Sequence, residues 1–272
     1  MEGIKIINGE GFYKIRVTKI SEDLKKNIRY NLSNICYGKM HVEEHGDLID
    51  YQYTLEDFFE RYDSKSKNQK KGIIGELIAH IIIIDCFRDF KPVSVLFNKE
   101  EKSAKKGFDL VVFNENNKFI WYTEVKSGEC CTDRSKCVYV CDKCNKLTAN
   151  KNISLLNKAK DDIKERFNDR SKHIWYSALV DLNSTVNINS RQEVKKLITF
   201  DSTKHKQKIS FSKRVILTSV LFEDKGEYEI NSIDDFHGSI VKEKIFDDVI
   251  ILSIQKDTYK AIEKFLKTEI RG

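Results

Sequence analysis

Two apolar strands joined by an asparagine-rich turn constrain this chain more than any other feature. Phe108–Phe113 (Phe-Asp-Leu-Val-Val-Phe) and Lys118–Lys126 (Lys-Phe-Ile-Trp-Tyr-Thr-Glu-Val-Lys) flank Asn114–Asn117. That pattern predicts a β-hairpin, because asparagine accepts the backbone angles of a tight turn. Three charges interrupt it: Asp109 is the second residue of the first strand, and Glu124 and Lys126 lie two apart near the end of the second. Strand alternation points Glu124 and Lys126 to one face. Folding about the turn brings the start of the first strand to the end of the second, so Asp109 and Glu124 become cross-strand neighbours.

The flanking segments predict an α/β fold: a restriction-endonuclease-like core with a central mixed sheet flanked by helices, carrying N-terminal and C-terminal extensions. Gly72–Phe87 is strongly apolar, with Ile74, Leu77, Ile78 and Ile81 at helical spacing and Glu76 set as an acid between Ile74 and Leu77. Val93–Asn98 reads as a short strand and Lys99–Lys106 as a loop. Ser154–Phe167 places Leu155, Leu156, Ala159, Ile163 and Phe167 on one helical face, and Ile174–Val180 reads as a further strand. The order is helix, three strands, helix, strand, which packs as layers around one sheet. Residues 68–180 form this core, with a cysteine-rich insertion at 129–150. Residues 1–67 make an α+β extension: a strand at Gly11–Val17, a helix from Ser21 to Cys36, and a basic hinge at Lys65–Lys71. Residues 181–272 make an α/β extension, with a basic helix or loop at Arg191–Thr199, strands at Val215–Phe222 and Val249–Ile254, and a helix from Thr258 to Ile270. With 272 residues, 40% of them hydrophobic, the chain can bury a substantial core.

Adjacent carboxylates repel one another unless a cation lies between them, and hard oxygen donors of this kind suit Mg²⁺ or Mn²⁺. A lysine beside such an ion can orient or help deprotonate an attacking water, which is the chemistry of phosphodiester hydrolysis. An ordinary same-face ion pair of Glu124 and Lys126 is the simpler alternative, but it leaves Glu76 in an apolar helix without a reason.

Asp109 followed by Glu124-Val125-Lys126, with Glu76 on the preceding helix, resembles the PD-(D/E)xK nuclease superfamily. Within it, Gly72-Ile-Ile-Gly75-Glu76-Leu77-Ile-Ala79, Lys106-Gly107-Phe108-Asp109 and Thr123-Glu124-Val125-Lys126-Ser127 are similar to HamA, the nuclease subunit of the Hachiman anti-phage system. Phe108 stands where the superfamily pattern has proline. The resemblance implies a DNA nuclease whose metal is held by Asp109, Glu124 and the Val125 carbonyl, assisted by Glu76, with Lys126 as the catalytic lysine. It also implies a helicase partner of the HamB kind. A stand-alone restriction-type endonuclease and a non-catalytic nuclease-like adaptor, binding protein or nucleic acid, are the alternatives.

Five of seven cysteines, Cys130, Cys131, Cys137, Cys141 and Cys144, fall in one short segment. Cys141-Asp-Lys-Cys144 has knuckle spacing, and Cys130 (or Cys131) with Cys137 completes a thiolate set for a structural Zn²⁺. His41-Val-Glu-Glu44-His45 matches the inverted zinc-protease string H-x-x-E-H, but Gly38 and Gly46 frame it, and surface histidines are the simpler reading. The net charge is +6 and unevenly spread. Arg61–Lys71 carries five basic residues and one acid, Arg191–Arg214 eight and two, and Glu223–Asp248 nine acids against three lysines. Basic blocks of this kind can follow a nucleic-acid backbone without reading its sequence. No apolar run reaches the ~18 residues of a membrane helix, and the first twenty residues lack the order of a signal peptide, so the chain reads as cytoplasmic. No G-x₄-G-K-[ST] loop occurs, so ATP-driven work falls to another protein.

Overall fold

A computed structural model of the chain describes residues 2–96, 107–129, 148–169, 173–223 and 230–270. One seven-stranded mixed sheet organises them, built from β1 (Ile4–Gly9), β2 (Phe12–Val17), β3 (Phe90–Pro92), β4 (Leu110–Asn114), β5 (Phe119–Glu129), β6 (Arg214–Phe222) and β7 (Asp248–Lys256) in the order β1-β2-β7-β6-β5-β4-β3. The strands β2, β7, β6 and β5 run parallel, while β1 on one side and β4 and β3 on the other are antiparallel to their neighbours. Pro92 lies on the edge strand β3, where its missing N–H breaks no inner ladder.

Helices cover both faces. On the first lie α1 (Glu22–Tyr37), α3 (Tyr51–Asp63), α4 (Lys67–Cys86) and α9 (Tyr259–Glu269), whose apolar residues pack with Ile15, Val125, Val220 and Ile254 of the sheet. On the second lie α5 (Thr148–Asn168), α6 (His173–Thr185), α7 (Ile188–Lys206) and α8 (Asn231–Glu243), packed on Phe12, Tyr122, Leu217 and Ile251. The short α2 (Lys39–His45) follows α1 directly. Along β5, Tyr122 belongs to the second face and Val125 to the first, so alternation assigns Glu124 and Lys126 to the α5 side and Thr123 and Ser127 to the α4 side.

Local chemistry sets the helix ends. Ser21 caps α1 by accepting from the Leu24 N–H at 3.2 Å, with Glu22 and Asp23 in the first turn, where the helix dipole favours acids. Ser66 and Gln69 form a capping box at the start of α4. The stretch Lys65–Lys71 is therefore mostly the first turn of this helix rather than a hinge. From Ile74 to Ile83 α4 is buried almost without interruption, as expected of a helix enclosed by a sheet on one side and α1, α3 and α9 on the other.

Two expected strands differ. Ile174–Val180 lies within α6: Ile174, Trp175, Ala178 and Leu182 are buried at helical spacing, and the β-prone Ile, Trp, Tyr and Val of that short window masked the period. The strand that pairs with β5 from the following chain is instead β6, after three helices. The short strand expected at Val93–Asn98 is observed earlier, at Phe90–Pro92. The stretch Arg191–Thr199 is helical, within α7. The loop Lys99–Lys106 and the five clustered cysteines lie outside the described residues. No helix among those described is long and apolar enough to cross a membrane.

Candidate active site

The hairpin of β4 and β5 pairs Leu110 with Thr123 and Asn114 with Phe119, and Asn114 Oδ1 accepts from the Asn116 and Asn117 N–H groups to close the turn. One step beyond the last ladder pair, this register sets Asp109 opposite Glu124. The Val125 N–H donates to Asp109 Oδ2 at 2.8 Å, fixing that carboxylate beside the end of β5. Phe108 anchors the entry: its ring lies 4.5 Å from Tyr122 and 5.4 Å from both Phe167 and Trp175. A large aromatic thus does by packing what a rigid proline does by its fixed backbone angle.

Asp109, Glu124 and Lys126 come together on the α5 face. Lys126 Nζ donates to Glu124 Oε1 at 2.6 Å and pairs with Asp162 of α5 at 2.7 Å. Arg166, in the last turn of α5, makes a two-pronged contact with Glu124: Nε to Oε2 at 2.9 Å and Nη2 to Oε1 at 3.0 Å. Its Nη1 donates to the Gly107 carbonyl at 2.6 Å, and its Nη2 lies 3.8 Å from Asp109 Oδ1. The Glu124 side chain is fully buried and that of Asp109 is 10% exposed, while Asp162 at 46% opens to solvent.

These surroundings decide the protonation states. Burial and the neighbouring Glu124 push Asp109 up to about 6 from its ordinary 3.8, against the pull of Lys126 and Arg166. Burial works to lower the Lys126 ammonium, but Glu124 and Asp109 outweigh it and hold it above the ordinary lysine value. Lys126 is accordingly a cation and a hydrogen-bond donor here. It can orient a water or a phosphate oxygen, but it does not take a proton in this state.

Glu76 occupies a different position. A Cβ on Gly75 would collide with the Ser127 hydroxyl and lie 2.9 Å from its Cβ, and Ile83 packs with Leu110, Val112 and Trp121. The helix α4 therefore runs antiparallel to β5, with the Glu76 turn level with Val125–Ser127 but on the other face of the sheet. Val125 itself projects into that face. His41 and His45 of α2 do share a helix side, with ring centroids 4.8 Å apart. Among the described residues no group of three or more His, Cys, Asp or Glu is arranged to hold a metal ion.

Two carboxylates alone still suit one hard cation, because Mg²⁺ keeps several waters and commonly takes only one or two protein carboxylates beside substrate oxygens. Asp109 is raised by burial first and by the neighbouring Glu124 second, and a cation held between the two carboxylates would offset both. In donor chemistry the residues fit the ion.

Asp162 and Arg166 were not anticipated. They stand four apart on α5, flanking the core stripe at Ile163, and the available signal was an unmatched hairpin carboxylate pair facing a helix with a charged flank.

A comparison with curated proteins returns no match. The HamA family model matches residues 7–270. That span takes in nearly the whole sheet and every helix described above, so the chain belongs to the HamA family and is a Hachiman defence-associated protein.

Proposed function

We propose that this chain is a metal-dependent deoxyribonuclease of the PD-(D/E)xK type, the effector of an anti-phage system, restrained by a helicase partner. The observation that carries this reading is the cross-strand meeting of Asp109 and Glu124 with Lys126 between β5 and α5. Asp109, Glu124 and the Val125 carbonyl would hold Mg²⁺ or Mn²⁺, with Glu76 contributing from the opposite side of β5. When bound, the ion supplies charge stabilisation at a phosphodiester oxygen. The chain's own groups supply the rest. Lys126, held charged by its acidic neighbours, donates to a phosphate oxygen or fixes the attacking water, and Asp162 sets its direction from the solvent side.

DNA would be gripped by backbone charge. On α7, Lys195, Lys196 and Lys206 are exposed, and Lys208 is exposed just beyond the helix end. At the start of α4, Lys67 and Lys71 gather 3.8 and 3.2 Å from Glu129 at the end of β5. Contacts of this type predict binding that weakens steeply with salt and is indifferent to sequence. Cys130 (or Cys131), Cys137, Cys141 and Cys144 would bind a structural Zn²⁺.

The test is plasmid degradation in Mg²⁺ by the wild type and by Lys126→Ala, each with and without its partner. The nuclease reading expects a loss of about 10²-fold or more in Lys126→Ala, the scale of removing one preorganised charge donor. A non-catalytic adaptor role stands if neither protein cuts under either condition.

A further inference from the structure

We infer that Arg166 is the resident counter-cation of the carboxylate pair, which a divalent ion must displace in order to bind. The inference rests on the nuclease reading and concerns how its site is loaded. Arg166 spans the donors such an ion needs: both oxygens of Glu124 at 2.9 and 3.0 Å, with Asp109 Oδ1 at 3.8 Å. A guanidinium presents its donors in a rigid planar fork, so it cannot slide along a carboxylate to share it as an ammonium can. Glu124 Oε1 already accepts from Lys126 as well, at 2.6 Å. A divalent ion coordinated to both carboxylates would lie within a few ångströms of the guanidinium carbon. Two positive centres at that separation in a buried site repel strongly. Glu124 and Asp109 are thus already answered by two cations of the protein, Arg166 and Lys126, the second shared with Asp162.

The position of Arg166 makes the exchange feasible. It lies in the last turn of α5, so its side chain can swing without unwinding the helix interior. The negative end of the helix dipole also favours a cation there. The consequence is a graded threshold. The wild type binds divalent metal more weakly than two buried carboxylates alone would, and anything that draws the end of α5 away raises metal affinity.

The experiment is Mn²⁺ binding by isothermal titration calorimetry on the full chain, comparing wild type, Arg166→Gln and Glu124→Gln. Arg166→Gln is expected to bind Mn²⁺ at least tenfold more tightly, and Glu124→Gln to lose binding. Because Arg166→Gln removes buried ion pairs and could prevent folding, a second measurement uses the wild type alone. The Arg166 Nε–H resonance, assigned by its loss in Arg166→Lys, is expected to shift and exchange faster as Mg²⁺ is added. Equal or weaker Mn²⁺ binding by folded Arg166→Gln, or a resonance unchanged at saturating Mg²⁺, overturns the inference and leaves the nuclease reading in place. Absence of Mn²⁺ binding by both wild type and Arg166→Gln overturns the metal reading itself, and this inference with it.

Discussion

On the face of β5 that meets α5, Glu124 and Lys126 are matched by Arg166 and Asp162 within hydrogen-bonding distance. On the face that meets α4, Thr123, Ser127 and the neighbouring Thr218 of β6 have buried hydroxyls with no hydrogen-bond partner among the described residues, as do both ring nitrogens of His80 on α4. The same strand thus carries complete charge matching on one side and unanswered dipoles on the other. The difference follows from what each helix brings. The helix α5 brings long charged side chains that reach the strand, whereas α4 brings mostly isoleucines, with Gly75 pressed against Ser127 and a His80 that pairs with none of these hydroxyls. An unpaired charge cannot survive burial, while an unpaired hydroxyl can, at a cost of about 1–3 kcal/mol each.

The comparison breaks most sharply at Glu124. Glu124→Ala leaves the half-buried Arg166 with only the more distant Asp109, while Lys126 keeps Asp162, and we expect it to lower unfolding stability by about 4 kcal/mol in urea titrations. A loss below about 1 kcal/mol would mean that the α5 side is solvated like an ordinary surface pair. On the other face, Gly75→Ala drives a methyl into Ser127 and is expected to cost about 3 kcal/mol by the same measurement, with no change in metal binding.

Much of this was legible in the chain itself. The Asp109–Glu124 pairing follows from turn position and alternation, both of which are local. The helix α4 follows from an apolar run too long for a strand. Arg166 was not legible, because it meets Glu124 across 42 residues from a separate layer, and nothing local distinguishes it from the solvated Lys158 or Lys164 of the same helix. The helical state of Ile174–Val180 was hidden for a related reason: the window is shorter than two turns, and its period appears only when Leu182 is included. Glu76 was read correctly as an acid in an apolar helix, but which side of the sheet that helix covers is a tertiary fact.

The two faces should also answer acid with opposite signs. Asp109 has a folded-state pKa raised to about 6, so its ionisation works against the fold above that pH, and the strain is relieved as pH falls from about 6 toward 3.8. Without divalent metal, Asp109→Asn should gain up to about 3 kcal/mol at pH 8, and the gain should vanish near pH 4. Burial lowers His80 to about 4 from 6.5, so its contribution is intact above pH 6.5 and is lost as pH falls toward 4. His80→Leu should therefore be more stable than the wild type by about 2 kcal/mol at pH 5, with a smaller advantage at pH 8. Thermal melts of the three proteins from pH 4 to 8 test both signs together; parallel curves would remove the contrast between the faces.

The most direct measurement is anomalous diffraction from a crystal of this chain soaked in Mn²⁺. The account predicts one strong peak at about 2 Å from carboxylate oxygens of both Asp109 and Glu124, with the Arg166 guanidinium turned away from Glu124. A peak elsewhere, or none, with Arg166 still clasping Glu124, would contradict it and leave the charge cluster as a structural clamp between sheet and helix.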